Sequence, residues 1–363
     1  MSVESYLRAA PKAELHVHLE GSIQPATLLE LARRNGVDLP ATDVDGLRRW
    51  FVYRDFPHFI EIYTAISRCL RAAEDYELIV VELATELARQ NCRYAEVTFS
   101  PSTHAAYGVS QEQWWRGLVT GRRRARKEHG VELRWVFDIV RNVEGPEENR
   151  RRADYTVAVA IEGMGDGVVA LGLGGNEVGY PAERFRAEFE RAIAAGLKSD
   201  PHAGETVGPV SIWRAIRVLH ADRLGHGVRA VEDPDLVAYL VEHRIPIEVS
   251  PTSNVRLGVS PSLEAHPFRS LREAGVVATV NSDDPPLFNG TLNDDVVALH
   301  NNMGMPVDDI DAVLLDAVRV SFAPDAERAT REVRYAEEMA VLRLAHLGES
   351  GDEANRSTDE GRA

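Results

Sequence analysis

Apolar and polar residues follow two alternating patterns along this chain. Short, mostly apolar runs that fit β-strands lie at residues 11–21, 94–99, 133–139, 168–173, 196–202, 223–227, 245–251 and 276–285. Between them lie amphipathic stretches, one of which places Ile79, Leu83 and Leu87 four residues apart. This spacing predicts helices over residues 25–35, 74–90, 111–129, 147–162, 182–195, 210–220, 234–242 and 267–274, with a helical end over 294–347.

The alternation of eight strands with helices predicts the fold class. Such units form a parallel sheet, and eight of them are typical of a TIM (β/α)8 barrel, here with a helical insertion after the first strand and extra helices at the C-terminus. A doubly wound open sheet would need a Gly-rich turn after the first strand. The pattern Gly165-x-Gly167-x-x-Ala170 instead precedes a strand. We expect one barrel domain over residues 1–347 and a disordered tail, rich in Gly and charged residues, over 348–363.

Composition and charge narrow the function. A net charge of -16 argues against a nucleic-acid partner, because binding a phosphate backbone needs a basic surface. No apolar run is long enough to span a membrane, and the N-terminus lacks the apolar segment of a signal peptide, so we expect a cytoplasmic protein. The two cysteines, Cys69 and Cys92, form no CxxC motif, which argues against a thiolate zinc site and against a disulfide framework.

Candidate metal ligands lie at the ends of three predicted strands. His16 and His18 alternate in the first strand, so their side chains point to the same face. His202 ends the fifth strand, and Asp283 follows the eighth. Since the carboxyl ends of barrel strands meet at one face, these four residues predict a site for one divalent ion, with zinc as the default for hydrolysis.

The same strand ends carry candidates for proton transfer and substrate contact. A bound metal lowers the pKa of a water molecule from about 15.7 towards about 7, and His226 at the end of the sixth strand is placed to orient that water. Glu205 lies three residues after His202 and is the best candidate to carry protons. Asp284, next to Asp283, is expected to hydrogen-bond the substrate.

These stretches together resemble the adenosine deaminase family of the amidohydrolase superfamily. The matching segments, in the order in which that family has them, are Glu14-Leu15-His16-Val17-His18-Leu19-Glu20-Gly21, His202-Ala203-Gly204-Glu205, Arg223-Leu224-Gly225-His226-Gly227, Pro251-Thr252-Ser253-Asn254 and Asn281-Ser282-Asp283-Asp284-Pro285. The resemblance implies a TIM barrel with one zinc ion that hydrolytically removes the 6-amino group of a purine as ammonia. The expected partner is thus a small aminopurine; the sequence does not indicate an oligomeric state.

The resemblance also implies roles for individual residues. Glu205 would protonate purine N1 and relay a proton to the leaving amine, and His226 would position the attacking hydroxide. Asp284 would hydrogen-bond N7, the backbone amide of Gly175 would meet N3, and Glu20 would reach a sugar hydroxyl. The remaining substrate-binding candidates are His18 and two aromatic residues of a helical lid, for which core packing is the alternative role: Phe56 and Phe59.

The leading interpretation is a zinc-dependent deaminase of adenosine or an adenosine-like nucleoside. The alternatives are adenine deaminase and aminodeoxyfutalosine deaminase of menaquinone synthesis, whose actinobacterial members the stretches 137–139 and 172–175 resemble. Arg141 and the arginines at 150–152 are hypothesised to meet an acidic substituent of such a substrate. A metallohydrolase that cleaves amides, esters or phosphoesters is less well supported, because strand 168–173 has no lysine to bridge two metals. A non-catalytic relative should have lost a ligand or Glu205.

Overall fold

Eight parallel strands form a barrel in the computed structural model, which describes residues 1–348. The strands are β1 (Lys12–His18), β2 (Cys92–Phe99), β3 (Glu132–Val140), β4 (Val168–Gly174), β5 (Lys198–Ala203), β6 (Leu224–His226), β7 (Ile247–Val249) and β8 (Ala278–Val280). They pair in sequence order from β1 to β8. A parallel bridge between Val17 and Asp283 brings the last strand back to the first. The predicted TIM barrel is therefore confirmed.

Helices surround the barrel and fill the connections between strands. They are α1 (Val3–Ala9), α2 (Pro25–Asn35), α3 (Val44–Trp50), α4 (Phe56–Ser67), α5 (Ala73–Arg89), α6 (Pro101–Ala106), α7 (Gln111–Arg124), α8 (Pro146–Glu162), α9 (Arg186–Ala195), α10 (Pro209–Leu219), α11 (Pro234–His243), α12 (Pro251–Arg256), α13 (Phe268–Glu273), α14 (Pro285–Phe288), α15 (Leu292–Asn301), α16 (Val307–Arg319) and α17 (Asp325–Leu347). In residues 1–348, no helix has the length and apolarity that crossing a membrane requires.

The insertion after β1 contains four helices, α2 to α5, and its local sequence explains their ends. Pro25 opens α2, and Gly36 closes it in the left-handed conformation, with φ of 63°. Asp55 caps α4 by accepting a hydrogen bond from the backbone amide of His58. This cap sets where α4 begins, and therefore where Phe56 and Phe59 stand over the barrel mouth.

The predicted helical end over 294–347 consists of three helices. Gly304, with φ of 64°, and Pro306 separate α15 from α16, and Pro324 directly precedes α17. Proline cannot continue a helix from the preceding turn, and glycine tolerates the left-handed conformation, so the breaks follow from local sequence. The predicted tail over 348–363 lies outside the described residues, apart from Gly348.

Two apolar layers hold the site in place. The larger fills the space between the strands and the surrounding helices. A smaller cluster, in which Leu15 and Tyr94 meet Val318 and Tyr335, closes the amino-terminal end of the barrel under β1 and β2. Tyr335 also donates a hydrogen bond of 2.9 Å to the backbone oxygen of Lys12. The floor of the barrel is thus packed, and the open carboxyl end carries the candidate site.

Candidate active site

Four predicted ligands converge at the carboxyl end of the barrel. His18 Nε2 lies 3.2 Å from His202 Nε2 and 3.2 Å from Asp283 Oδ1. His16 Nε2 lies 3.5 Å from the same Asp283 oxygen. The backbone joins β1 to the segment after β8 here, because His18 N donates to Asp283 O and Asp283 N donates to His16 O. Residues more than 260 positions apart in the chain are therefore held in fixed register.

The donor set fits a divalent metal ion. Ligand atoms about 2.1 Å from one ion lie roughly 3.0 to 3.5 Å from one another. The distances from His18 to His202, from His18 to Asp283 and from His16 to Asp283 lie in this range. His16 Nε2 is buried without a hydrogen-bond partner in the described residues, which would be costly unless it serves as a ligand. Three imidazoles and one carboxylate suit first-row divalent ions. The residues His16, His18, His202 and Asp283 would hold the ion.

Glycine allows these histidines to pack closely. A Cβ atom on Gly225, in β6, would lie 2.9 Å from His16 Cε1 and 3.2 Å from the Cα of His202. Cβ atoms do not approach other atoms to 2.9 Å, so a larger residue at position 225 would shift the ring of His16. The next residue, His226, has φ of 61° and turns its ring towards the ligands, so that its centroid lies 4.8 Å from that of His16.

His226 and Glu205 stand beside the ligand cluster. His226 Nε2 is 3.8 Å from Glu205 Oε1, and both side chains are buried. Burial, followed by the charges of Asp283 and Glu177, raises the pKa of Glu205 to about 8. Burial lowers the pKa of His226 to about 3, so its imidazole is neutral near pH 7. A carboxyl that can hold a proton thus lies next to a neutral imidazole.

Glu177, which the sequence analysis did not single out, holds the loop that carries Glu205. Its carboxylate accepts hydrogen bonds from the backbone amides of Gly204, Thr206 and Val207 at 2.7, 2.9 and 2.7 Å. The loop residues that flank Glu205 are therefore anchored to the segment after β4. No local signal in the sequence indicates this contact, because Glu177 lies in an irregular connection.

The two adjacent carboxylates after β8 have different surroundings. Asp283 Oδ2 accepts a hydrogen bond of 2.7 Å from Ser253 Oγ, which leaves Oδ1 for the ligand cluster. Asp284 lines the cleft, and its Oδ1 is buried without a partner in the described residues. Burial and the neighbouring charge of Asp283 raise the pKa of Asp284 well above its usual range. Asp283 is thus placed for a metal and Asp284 for a ligand in the cleft.

A cleft opens above the ligand cluster and receives several predicted substrate contacts. Its walls include His18, Phe56, Phe59, Gly175, Glu205, His226, Asp283 and Asp284, and it measures about 720 Å³ with its open mouth. Phe59 stacks on Phe288 with ring centroids 5.6 Å apart. The structure thus brings these predicted residues together around one cleft, where α4 forms an aromatic wall.

Glu20 lies behind the cleft wall and does not line it. Its carboxylate receives hydrogen bonds from Tyr63 Oη at 3.1 Å and from Ser100 N at 3.3 Å, and His104 Nε2 lies 2.8 Å away. Glu20 is fully buried. Tyr63 and Ser100 are the groups that face the cleft on this side. The contact between Glu20 and a sugar hydroxyl stays a prediction.

Two further polar residues line the cleft. These residues are Asp138, near the end of β3, and Asn142, which follows β3. Asp138 accepts a hydrogen bond of 2.6 Å from Ser100 Oγ, which also lines the cleft. Burial raises the pKa of Asp138 to about 6. Its position at a strand end is the signal that could have found it, as for the other site residues.

The proposed contact between arginines and an acidic substituent is not supported by the structure. Arg141 is 2% exposed and donates hydrogen bonds to the backbone oxygens of Leu173 and His202. Arg151 and Arg152 bind Glu148 on α8. In residues 1–348, the cleft wall includes neither Arg141 nor any of residues 150–152. Arg141 instead ties the end of β4 to the end of β5, next to a ligand.

The fold and the cluster define a class of protein. A (β/α)8 barrel with a cluster of histidines and a carboxylate at its strand ends, beside a carboxyl of raised pKa, is the arrangement of a metal-dependent hydrolase. Comparison with known proteins identifies the family. Residues 11–333 match the family model described as adenosine deaminase, and the chain belongs to this family.

Individual relatives agree with this assignment. The aminodeoxyfutalosine deaminase of Streptomyces avermitilis is 40% identical over 347 residues, which cover 95% of this chain and 94% of the relative. The structure of adenine deaminase from Arthrobacter aurescens has a TM-score of 0.85 and 32% identity, covering 91% of this chain and 99% of that one. An amidohydrolase from Burkholderia ambifaria with bound zinc has a TM-score of 0.86 and 26% identity, covering 96% of each chain.

These comparisons confirm the predicted reaction type, but they support a substrate other than the one that the sequence analysis put first. The protein is a metal-dependent hydrolase of the aminopurine deaminase type. The relatives are named for aminodeoxyfutalosine and adenine, so the two alternative substrates are better supported than adenosine, which was the leading prediction.

Proposed function

We propose that this protein hydrolytically deaminates aminodeoxyfutalosine, with zinc as its metal. The observation that carries the reaction is the cluster of His16, His18, His202 and Asp283, linked by ligand-atom distances of 3.2 to 3.5 Å, beside Glu205 and His226 at one end of a cleft. The substrate is supported by the 40% identity to an aminodeoxyfutalosine deaminase over nearly the whole chain. Zinc is supported by the histidine-rich donor set and by the zinc-bound amidohydrolase of similar fold.

The residues of the chain divide the chemistry between them. Zinc, when bound, supplies a water molecule of lowered pKa. His226, as a neutral imidazole, orients that water towards C6 of the purine and can accept its proton. Glu205 donates its proton to N1 while water adds at C6. The resulting carboxylate takes the proton of the new C6 hydroxyl and passes it to the amine, which leaves as ammonia. The proton that His226 accepted from water then returns Glu205 to its acid form. Water and the 6-aminopurine thus yield the 6-oxopurine and ammonia.

The cleft walls would hold the purine. Asp284 would contact N7 and the backbone amide of Gly175 would contact N3, while Phe56 and Phe59 would cover the base. The opposite wall, with Ser100 and Asp138, offers hydrogen-bonding groups to the substituent on N9. Free adenine, the second candidate substrate, has no substituent on N9 that this wall could bind. Adenine is supported by the similarity of this chain to an adenine deaminase.

A screen of ammonia release tests the substrate. Purified protein is assayed with aminodeoxyfutalosine, adenine, adenosine, 2′-deoxyadenosine and methylthioadenosine, and the Glu205→Gln variant serves as the background control. We expect kcat/KM for aminodeoxyfutalosine to exceed that for every other compound by at least about tenfold. A higher value for adenine would replace aminodeoxyfutalosine by the second candidate. Release from none of the compounds would contradict the proposal.

Metal analysis of the same sample tests zinc. We expect about one zinc per chain, loss of activity after treatment with a chelator, and recovery when zinc is restored. Recovery with iron or manganese but not with zinc would contradict the assignment of the ion without affecting the substrate.

A further inference from the structure

A buried group of charges lies inside the barrel beneath the ligand cluster. Arg223 is fully buried, and its Nη2 donates to Glu96 Oε2 at 2.5 Å and to Asp200 Oδ2 at 2.9 Å. Its Nε contacts Oε1 of Glu248, which is 1% exposed. Buried charges are costly unless they are paired, so this group needs an explanation in terms of either stability or function.

Glu248 connects this group to the metal site. Its second oxygen, Oε2, lies 2.8 Å from Nδ1 of His16. An ionised carboxylate can only accept, so the imidazole donates its Nδ1 hydrogen. The Nε2 lone pair of His16 then points at the ligand cluster, where it lies 3.5 Å from Asp283 Oδ1. The hydrogen bond therefore sets both the tautomer and the ring orientation that a metal ligand requires.

Two other histidines of the site, His202 and His226, lack such a partner. Nδ1 of His202 and Nδ1 of His226 have no hydrogen-bond partner in the described residues. Among these three rings, only that of His16 has a carboxylate at hydrogen-bond distance from its Nδ1. Removing the hydrogen bond between Glu248 and His16 should therefore displace the ring of His16. The rings of His202 and His226, which packing alone holds, should keep their positions.

We propose that Glu248 is a positioning residue for the metal ligand His16, and that Arg223 holds Glu248 in place. Arg223 contacts one carboxylate oxygen of Glu248, and the other oxygen is turned towards His16 Nδ1. Arg223 directly precedes β6, and Glu248 is the middle residue of β7. The two strands pair through Leu224 with Ile247 and through Gly225 with Glu248. This pairing of β6 with β7 therefore fixes the positions of Arg223 and Glu248 relative to each other and to His226, which ends β6.

The competing explanation is that the charges only stabilise the interior of the barrel. Glu96 distinguishes the two, because it binds Arg223 but contacts none of the histidines; its other oxygen accepts from Tyr94 Oη and Phe322 N. If the charges serve stability alone, neutralising Glu96 or Glu248 should have similar effects. If Glu248 positions His16, only its replacement should weaken metal binding.

The test compares Glu248→Gln with the matched variant Glu96→Gln. Glutamine has one acceptor oxygen and cannot serve both Arg223 and His16. Zinc affinity is measured by competition with a chromophoric chelator, and the cobalt-substituted proteins are compared by visible absorption. We expect zinc affinity to fall by about 10- to 100-fold in Glu248→Gln, with an altered cobalt spectrum, and to change by less than about threefold in Glu96→Gln. This inference rests on the proposed metal, so wild-type zinc affinity is measured first.

The outcomes separate the proposals. Weak zinc binding by the wild type would overturn zinc as the metal, whereas unchanged zinc affinity in Glu248→Gln would overturn the role of Glu248 alone. Equal losses in both variants would assign the charges to stability. If circular dichroism shows that Glu248→Gln does not fold, Glu248→Asp keeps the charge but shortens the reach by one methylene. Wild-type affinity and cobalt spectrum in that variant would likewise contradict the proposal.

Discussion

Gly21 leaves the space that Asp284 occupies. A Cβ atom on Gly21 would lie 1.6 Å from Asp284 Oδ1 and 2.5 Å from its Cγ. Gly21 lies in the turn that follows β1, and Asp284 follows β8, so the two ends of the barrel sheet meet here. The absence of a side chain at Gly21 thus determines where a cleft-lining carboxyl can stand.

The variant Gly21→Ala should displace Asp284 and impair catalysis. Overpacking costs about 1 to 3 kcal/mol, and part of that cost falls on the position of Asp284, so we expect kcat/KM to fall by about 10- to 100-fold. Gly165→Ala is the control, because a Cβ atom at Gly165 meets nothing within 4 Å. If steady-state kinetics give the same kcat/KM for both variants, the space that Gly21 leaves for Asp284 is not needed for catalysis.

The variant Glu205→Gln should retain the metal and lose turnover. The amide cannot exchange a proton, so kcat should fall by about 10² to 10⁴ while metal content stays near that of the wild type. His202→Ala should lose both, because it removes a ligand. Activity and metal content are measured on the same preparations. Turnover close to the wild-type rate in Glu205→Gln would rule out its role as the proton carrier.

The variant Asp138→Asn should affect substrate binding more than chemistry. Asp138 lines the cleft beside Ser100 and is not one of the ligand residues. We expect KM to rise by about 10- to 100-fold with little change in kcat or metal content, since one hydrogen bond to a charged group contributes about 1.5 to 3 kcal/mol. Asp154→Asn, on the surface of α8, is the control. An unchanged KM would place the substrate away from Asp138.

Asp295 should make stability depend on pH. Burial raises its pKa to about 7, from a usual value of 3.8. Between these values the folded protein keeps the proton that the unfolded chain releases, so the contribution of Asp295 to the free energy of unfolding falls as pH rises from about 4 to 7. Asp295→Asn should therefore gain stability relative to the wild type over this range, by on the order of 1 kcal/mol or more.

Urea unfolding of wild type and Asp295→Asn at pH 5 and pH 8 checks this prediction. The amide can still accept the hydrogen bond that Thr252 N donates to Asp295 at 2.8 Å, so the contact itself need not be lost. The same difference in unfolding free energy at both pH values would show that Asp295 has an ordinary pKa in the folded protein.

The sequence by itself determined the barrel and the main members of its site. Alternating strand and helix periods leave few architectures other than eight parallel units, and the carboxyl ends of parallel strands share one face. His16, His202, His226 and Asp283 could therefore be assigned to one place although they are distant in the chain. Helix breaks at Gly304, Pro306 and Pro324 were also present in the sequence, but the amphipathic pattern of 294–347 concealed them.

Only the tertiary structure decided which groups support that site. Glu248 and His16 are 232 residues apart, and Glu177 reaches Glu205's loop from an irregular connection, so neither contact follows from periodicity. Arg141 follows the end of a strand, as site residues do, yet its guanidinium donates its hydrogen bonds to backbone oxygens and does not reach the cleft. Strand ends show which residues can reach the mouth of a barrel. The direction of each side chain, and the partner it finds there, depends on packing between strands that the linear pattern does not specify.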